Sequence, residues 1–173
     1  RGNGRVLGNV AEEVRVEIPD LRRPVLELAA ETHGPLDEVL TFLRSSPPIA
    51  AKLGPGYERL SAPEGTGDVA FELALPLLDM TAYRLDAALT IDSGALSIDG
   101  FAPRASDIRG TLRFADGSVA AQGIEAIFLD GPVTASVSPA GVDGYRTRVD
   151  VDGEVTAAAV IDAFDLPLKG LAA

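Results

Sequence analysis

The feature that most constrains this chain is a series of short runs in which apolar and polar side chains alternate, each run separated from the next by a turn. Residues 108–137, "IRGTLRFADGSVAAQGIEAIFLDGPVTASV", hold three such runs. A period of two predicts strands with one buried face. Parallel strands need connections of a dozen or more residues, for which there is no room. The sequence therefore predicts a mainly β antiparallel meander, forming either a curved, trough-like sheet (a β-groove) with one or two short helices or a closed β-sandwich.

The same patterns predict the order of the elements along the chain. Two alternating strands, "EVRVEI" and "VLELAAET", come first, followed by apolar residues at helical spacing in "GPLDEVLTFLRSSPP". We expect about ten strands, and one β-rich segment, 1–173, divided into these regions: a helix at about 35–45, an irregular stretch at about 46–67, the main strand series at about 68–152 and a short helix at about 156–164. The predicted turns in the main series include Asp92-Ser93-Gly94, Asp116-Gly117 and Asp130-Gly131-Pro132.

Composition excludes several classes of partner. The net charge is −11 with a pI near 4.4, which argues against nucleic acid and against electrostatic docking on an anionic membrane. Aromatic residues make up only 5% and Trp is absent, so a platform for stacking bases or sugars is not expected. The chain has no Cys, which removes disulfides, thiolate nucleophiles and Cys-ligated metals.

Residue types that carry chemistry are isolated from one another. The single His, His33, precedes Gly34-Pro35, where a loop or capping role is expected rather than general base catalysis. Asp150 and Asp152 share one side of a strand and suggest either two Ca²⁺ ligands or a solvated strand face, and the EF-hand spacing is not met. No phosphate-binding loop or nucleophile elbow is present. We therefore expect no enzymatic activity, no metal and no cofactor.

The apolar sides of the strands must be shielded from water, which leaves two interpretations. They form the core of a sandwich, or they line a trough that holds an acyl chain, since each buried CH₂ gains about 0.8 kcal/mol. The facing of Ile124 and Phe128 depends on strand register, because "GIEAIFL" is apolar on both sides. The candidate lipid-binding residues are Val69, Phe71, Leu73, Leu85, Leu89, Ile91, Ile108, Leu112, Phe114, Ile124, Phe128, Val133 and Val137.

Several motifs in order resemble the central region of YhdP-type members of the AsmA-like family. They are the strand pair followed by "GPLDEVLTFLRSSP", a strand of the form G-x-G-x-x-x-x-x-L-x-L-P-L, and the series "I-x-G-x-L-x-F" and "GPV". The resemblance covers nearly the whole chain. Pro48 departs from it, because an apolar residue such as Leu is expected after Ser-Pro.

The resemblance implies a periplasmic segment of a long protein anchored in the inner membrane of a Gram-negative bacterium. Its partner would be phospholipid moving between the inner and outer membranes, and membrane contact would come from parts of the protein outside this chain. The chain begins at Arg1 and ends in "DLPLKGLAA", which resembles the start of another strand, so we expect an excerpt from a longer protein. No apolar run approaches the roughly 20 residues that span a bilayer, so we expect any membrane anchor to lie outside this chain. The fragment could self-associate through open strand edges or its apolar face. The alternatives are a structural or protein-interaction β-domain without lipid cargo and a scaffold whose edges bind a partner strand.

Overall fold

The backbone forms one antiparallel sheet accompanied by two short helices. The computed structural model describes residues 2–6, 9–45, 58–79, 81–115, 118–140 and 146–164. Nine strands lie in the sheet in sequence order, each paired antiparallel with the next. Their bounds are β1 Gly2–Val6, β2 Asn9–Glu17, β3 Val25–Pro35, β4 Leu60–Pro76, β5 Arg84–Ile98, β6 Phe101–Ala115, β7 Ser118–Phe128, β8 Gly131–Ala140 and β9 Arg146–Gly153.

Both helices follow strands that finish at the same end of the sheet. Helix α1, Leu36–Ser45, follows β3, and helix α2, Ala157–Ala163, follows β9. Helix α1 carries acidic residues in its first turn and Arg44 in its last, as its dipole favours. The Thr156 hydroxyl accepts a hydrogen bond from the backbone N–H of Ala159 at 3.2 Å, which caps α2. We call this end of the sheet the helix end, and the opposite end, where β3 begins and β4 finishes, the loop end.

The sheet is curved and unclosed, so the prediction of a meander is confirmed and the closed sandwich is wrong for the described residues. Strands β1 and β9 each pair with one neighbour only. The chain exposes 11227 Å² of accessible surface, whereas a compact protein of this mass exposes about 8,000 Å². None of the described large side chains is fully buried. A single layer of strands leaves its apolar side without the second sheet that would bury it.

Bulges and glycines cross the sheet at about the same level and bend its strands. Gly67 of β4 pairs with Ile91 of β5, which pairs with Gly110 of β6. Register shifts occur beside these positions, and Gly110 has a φ of 138°. On β7, Gly123 has a φ of 66° within the shift between Ala121 and Ile124. An extra residue in one strand of a pair bends and twists the ladder locally, so this row of bulges accounts for the curvature.

Two predicted turns and one predicted boundary are wrong. Residues 92–94 are not a turn, because β5 continues through them as a bulged strand that meets β6 in a hairpin at Asp99-Gly100. The β7–β8 turn consists of Leu129 and Asp130, both at positive φ as a type I′ turn requires, and Gly131-Pro132 begins β8. Residues 60–67 belong to β4 rather than to an irregular stretch.

The sheet has nine strands where about ten were expected, because β5 and β7 each join two predicted runs and β1 was not predicted. Residues 46–57 lie outside the described residues, and so does Pro48. The Asp116-Gly117 turn also lies outside them, between Ala115 and Ser118, which are paired.

Replacing Gly110 by Ala should destabilise the fold far more than replacing Gly123 by Ala. Both residues have positive φ, but a Cβ on Gly110 would lie 2.6 Å from Ile124 Cδ1, whereas a Cβ on Gly123 meets nothing within 4 Å. We expect G110A to lower the free energy of unfolding by about 3 kcal/mol and G123A by about 1 kcal/mol. Urea denaturation followed by circular dichroism measures both. Equal losses would show that packing against Ile124 does not restrict Gly110.

Candidate functional site

One face of the sheet is apolar across strands β3 to β9. Directly paired residues of neighbouring strands point to the same side of a sheet. One row of such pairs crosses six strands without a polar member: Val69, Leu89, Leu112, Ala121, Val137 and Val149. A second row crosses five strands: Ala30, Phe71, Ala87, Phe114 and Val119. With strands about 4.8 Å apart, the first row is about 24 Å long. We call this side of the sheet the apolar face.

All thirteen candidate residues of the sequence lie on the apolar face. The ambiguous strand is resolved by the bulge at Gly123, after which Ile124 pairs with Ala135 and Phe128 with Gly131. Ile127 pairs with Pro132 on the opposite face. The structure thus brings the candidates together on one surface, and their role in binding lipid stays a prediction.

Helix α1 covers the part of the apolar face near the helix end. Leu36 belongs to a buried cluster with Ile91, Ile108, Ala121 and Ile124. A Cβ on Gly67 or on Gly94 would lie 3.0 Å from a Leu36 methyl group, so the helix approaches because these positions lack side chains. Leu36 was not among the candidate residues, which were taken from the strands alone. Its place at the first apolar position of the helical pattern nevertheless indicates that it faces inward.

The last turn of α1 is tied to the strand that follows it. The Arg44 guanidinium donates hydrogen bonds to the carbonyl oxygens of Glu58, at 3.1 Å, and Leu60, at 2.5 Å. Since α1 also follows β3 directly, both of its ends are held against the sheet. Helix α1 therefore covers the helix end of the apolar face at strands β3 and β4.

Exposure of the apolar face rises toward its two lateral margins. Leu85 and Ile91 are buried in the middle of the sheet, whereas Val16 on β2 is 57% exposed and Val149 on β9 is 59% exposed. Neighbouring strands cover the central side chains, and the outer strands lack such a neighbour on one side. The apolar face therefore continues, uncovered, to the outer strands.

The opposite face is polar and carries two depressions. The larger, about 460 Å³, is lined mostly by polar-face residues that include Glu31, Glu72 and Arg113, and the smaller, about 260 Å³, includes His33 and Asp68. Both depressions belong mainly to the side of the sheet away from the candidate residues. The apolar face offers a broad open surface instead.

The only His lies in strand β3, so the expected loop or capping position is wrong. His33 Nδ1 lies 2.7 Å from Asp68 Oδ1 across the β3–β4 pair, and both side chains are exposed. No nucleophile is hydrogen-bonded to this pair among the described contacts. Asp68 is instead followed across the sheet by Thr90 and Thr111, whose hydroxyl oxygens are 3.1 Å apart. These four residues form a row of polar cross-strand pairs on the polar face of the sheet.

No metal-binding cluster is formed within the described part of the chain. Of the two carboxylates considered as Ca²⁺ ligands, Asp150 accepts hydrogen bonds from the Arg148 guanidinium at 2.7 and 2.8 Å. The same contacts raise the pKa of Arg148, chiefly through the hydrogen bond to Asp150. This arrangement fits an exposed ion pair on a strand near the sheet margin.

Truncating Leu36 should cost far more stability than truncating Phe42 of the same helix. Leu36 is 8% exposed within the buried cluster, whereas Phe42 is 38% exposed. We expect L36A to lower the free energy of unfolding by about 2–5 kcal/mol and F42A by less than about 1 kcal/mol. Chemical denaturation of both variants measures the difference. Equal losses would mean that α1 does not cover the apolar face through Leu36.

Comparison with known proteins gives one match. A family model described as "YhdP protein" matches residues 2–172. No curated protein and no solved structure matches the chain. Within the described residues, no helix combines the length and the hydrophobicity that crossing a bilayer requires.

Proposed function

The chain belongs to the YhdP family, and from this premise we propose that it is a segment of an envelope-spanning lipid-transport protein. Its apolar face holds phospholipid acyl chains during passage between the inner and outer membranes of a Gram-negative bacterium. The segment lies in the periplasm, and parts of the full-length protein outside this chain anchor it in the inner membrane. No reaction is catalysed and no cofactor takes part.

One observation carries this proposal: an apolar face that crosses strands β3 to β9 and is covered by only one short helix in the described residues. Such a face is stable in water only when something apolar covers it. The paired row from Val69 to Val149 runs across the strands rather than along them. Adding strands at either margin would therefore lengthen the same track.

Acyl chains suit this surface because its side chains are mostly aliphatic and the hydrophobic interaction that would hold an acyl chain is non-directional. An acyl chain with about a dozen buried CH₂ groups gains on the order of 10 kcal/mol before ordering costs are subtracted. Val, Leu and Ile offer neighbouring positions of similar hydrophobicity along the track, so a chain can shift from one to the next without breaking a hydrogen bond. The head group stays outside the apolar face. Net direction then depends on an energy source or a gradient elsewhere.

A second candidate function is protein interaction through the sheet margin. Val149 and Val151 of β9 are both more than half exposed, and no strand among the described residues pairs with the outer side of β9. An unpaired edge with exposed valines is a template for strand addition. A second copy or another protein that pairs with β9 would extend the sheet without any lipid being present.

A charge on the apolar face should abolish phospholipid binding, whereas the same charge on the polar face should not. Phe71 lies on the apolar face and its neighbour Ala70 is exposed on the polar face. We expect F71D to reduce binding of a fluorescent phospholipid by at least about tenfold, because desolvating a carboxylate among acyl chains is costly. A70D is the matched control with the same change of charge. The measurement is titration of delipidated protein, with circular dichroism confirming that both variants fold.

Equal binding by folded F71D and wild-type protein would contradict lipid binding on this face. If F71D does not fold, F71A keeps the test open, because it removes apolar area without adding charge. Wild-type protein that binds no phospholipid but forms dimers disrupted by a charge at Val151 would favour the interaction function.

A further inference from the structure

At the loop end, two neighbouring loops project exposed leucines beyond the strands. Residues 18–24 join β2 to β3, and residues 77–83 join β4 to β5. The backbone N–H of Leu77 donates a hydrogen bond to the carbonyl oxygen of Pro24 at 2.9 Å, which holds the loops together. Leu21 is 83% exposed and Leu78 is 82% exposed, the two highest values among the large hydrophobic residues described. We call these two loops the rim loops.

The rim loops continue the apolar face rather than closing it. On the β2 side, Val16 pairs with Leu28 on the apolar face, and the exposed Ile18 follows at the next alternate position. On the β4 side, Leu75 pairs with Leu26 just before the exposed Leu77. The apolar surface therefore runs from the strands to the tips of the loops, in contrast to the helix end, where α1 covers it.

The rim loops carry two arginines and are neutral in a chain that is strongly acidic as a whole. Arg22 and Arg23 lie in the first of these loops, and neither takes part in an ion pair found among the described residues. The two acidic residues present, Asp20 and Asp79, accept hydrogen bonds within their own loops. Asp20 accepts from the backbone N–H of Arg22, and Asp79 accepts from the hydroxyl and backbone N–H of Thr81. The two arginines and two aspartates leave these loops with a net charge of 0 in a chain of net charge −11.

The turns at the helix end have the opposite character. They carry Asp99, Asp130 and Glu154. The guanidinium of Arg59 lies against the carbonyl oxygen of Asp99, with Nη2 at 2.8 Å. An anionic group at the end of a lipid would thus meet carboxylates there and free guanidinium groups at the rim loops.

We infer that the rim loops hold the phosphate of a bound phospholipid, with Arg22 and Arg23 facing the phosphate and Leu21 and Leu78 contacting the glycerol and first acyl carbons. The inference rests on the proposed function, because it orients a lipid whose acyl chains occupy the apolar face. Arginine is suited to this position, since its planar guanidinium binds phosphate through two parallel hydrogen bonds. The phosphate then lies at the loop end of every bound lipid, and lipids without a phosphate lack this contact.

Photocrosslinking locates the two parts of the lipid separately. The wild-type chain is loaded with phosphatidylglycerol carrying a diazirine either in the head group or in the middle of an acyl chain, and labelled peptides are identified by mass spectrometry. We expect the head-group probe to label residues 18–24 and 77–84 and the acyl probe to label residues 85–91 and 108–114. Head-group labelling at residues 99–100 and 129–130, or spread over both ends, with acyl labelling retained, would overturn the rim assignment alone. Absence of acyl labelling on the apolar face would overturn the proposed function itself.

Charge reversal at the rim tests the role of the arginines. The variant R22E/R23E should bind phosphatidylglycerol about fivefold more weakly, the size expected of two exposed ion pairs. Its binding of diacylglycerol with the same acyl chains should not change. The matched control is R109E/R113E, which alters two exposed arginines on the polar face. If both variants weaken phosphatidylglycerol binding equally, the effect comes from net charge alone. If R22E/R23E weakens the binding of phosphatidylglycerol and diacylglycerol equally, the variant has lost apolar contact instead. Either result overturns the inference.

Discussion

The register of the cross-strand pairs is the constraint on which the rest of this structure depends. Because side chains alternate along a strand, a shift of one residue in any pair would turn a whole strand's apolar residues to the polar face. The pairs from Val69 to Val149 hold one register relation across six strands, and the bulges at Gly110 and Gly123 restore it where extra residues enter the strands. The apolar face, its cover by α1 and its open margins all follow from that register.

The division of the sheet into two unlike ends follows from where the helices attach. Both helices follow strands that finish at the helix end, and α1 fits against Gly67 and Gly94 because neither has a side chain. The loop end has only connecting loops, so its leucines stay exposed among arginines. The sheet therefore has two chemically different ends, one partly covered by a helix and one with exposed leucines and arginines. This asymmetry is built into the order of elements along the chain.

Much of this arrangement could be predicted from the sequence, because the alternation of apolar and polar residues along a strand indicates which side of the sheet each side chain faces. Eleven of the thirteen candidate residues lie in runs with a clear period of two, which places them on one face. The turn expected at Asp92-Ser93-Gly94 was wrong because the same residue types that make turns also make bulges, and only pairing with β6 distinguishes them. Ile124 and Phe128 could not be assigned from "GIEAIFL", since their facing depends on the positive φ of Gly123. The rim loops were missed because their contact, Leu77 with Pro24, joins segments far apart in sequence.

The measurement that tests the central claim most directly is mass spectrometry of the purified wild-type chain, under native conditions for stoichiometry and after organic extraction for lipid identity. An apolar face that holds acyl chains predicts phospholipid carried through purification, in discrete stoichiometry, and recovered by the extraction. A lipid-free, monodisperse monomer that takes up no added phospholipid would contradict the account. In that case the apolar face would have to be stable in water without any ligand to cover it.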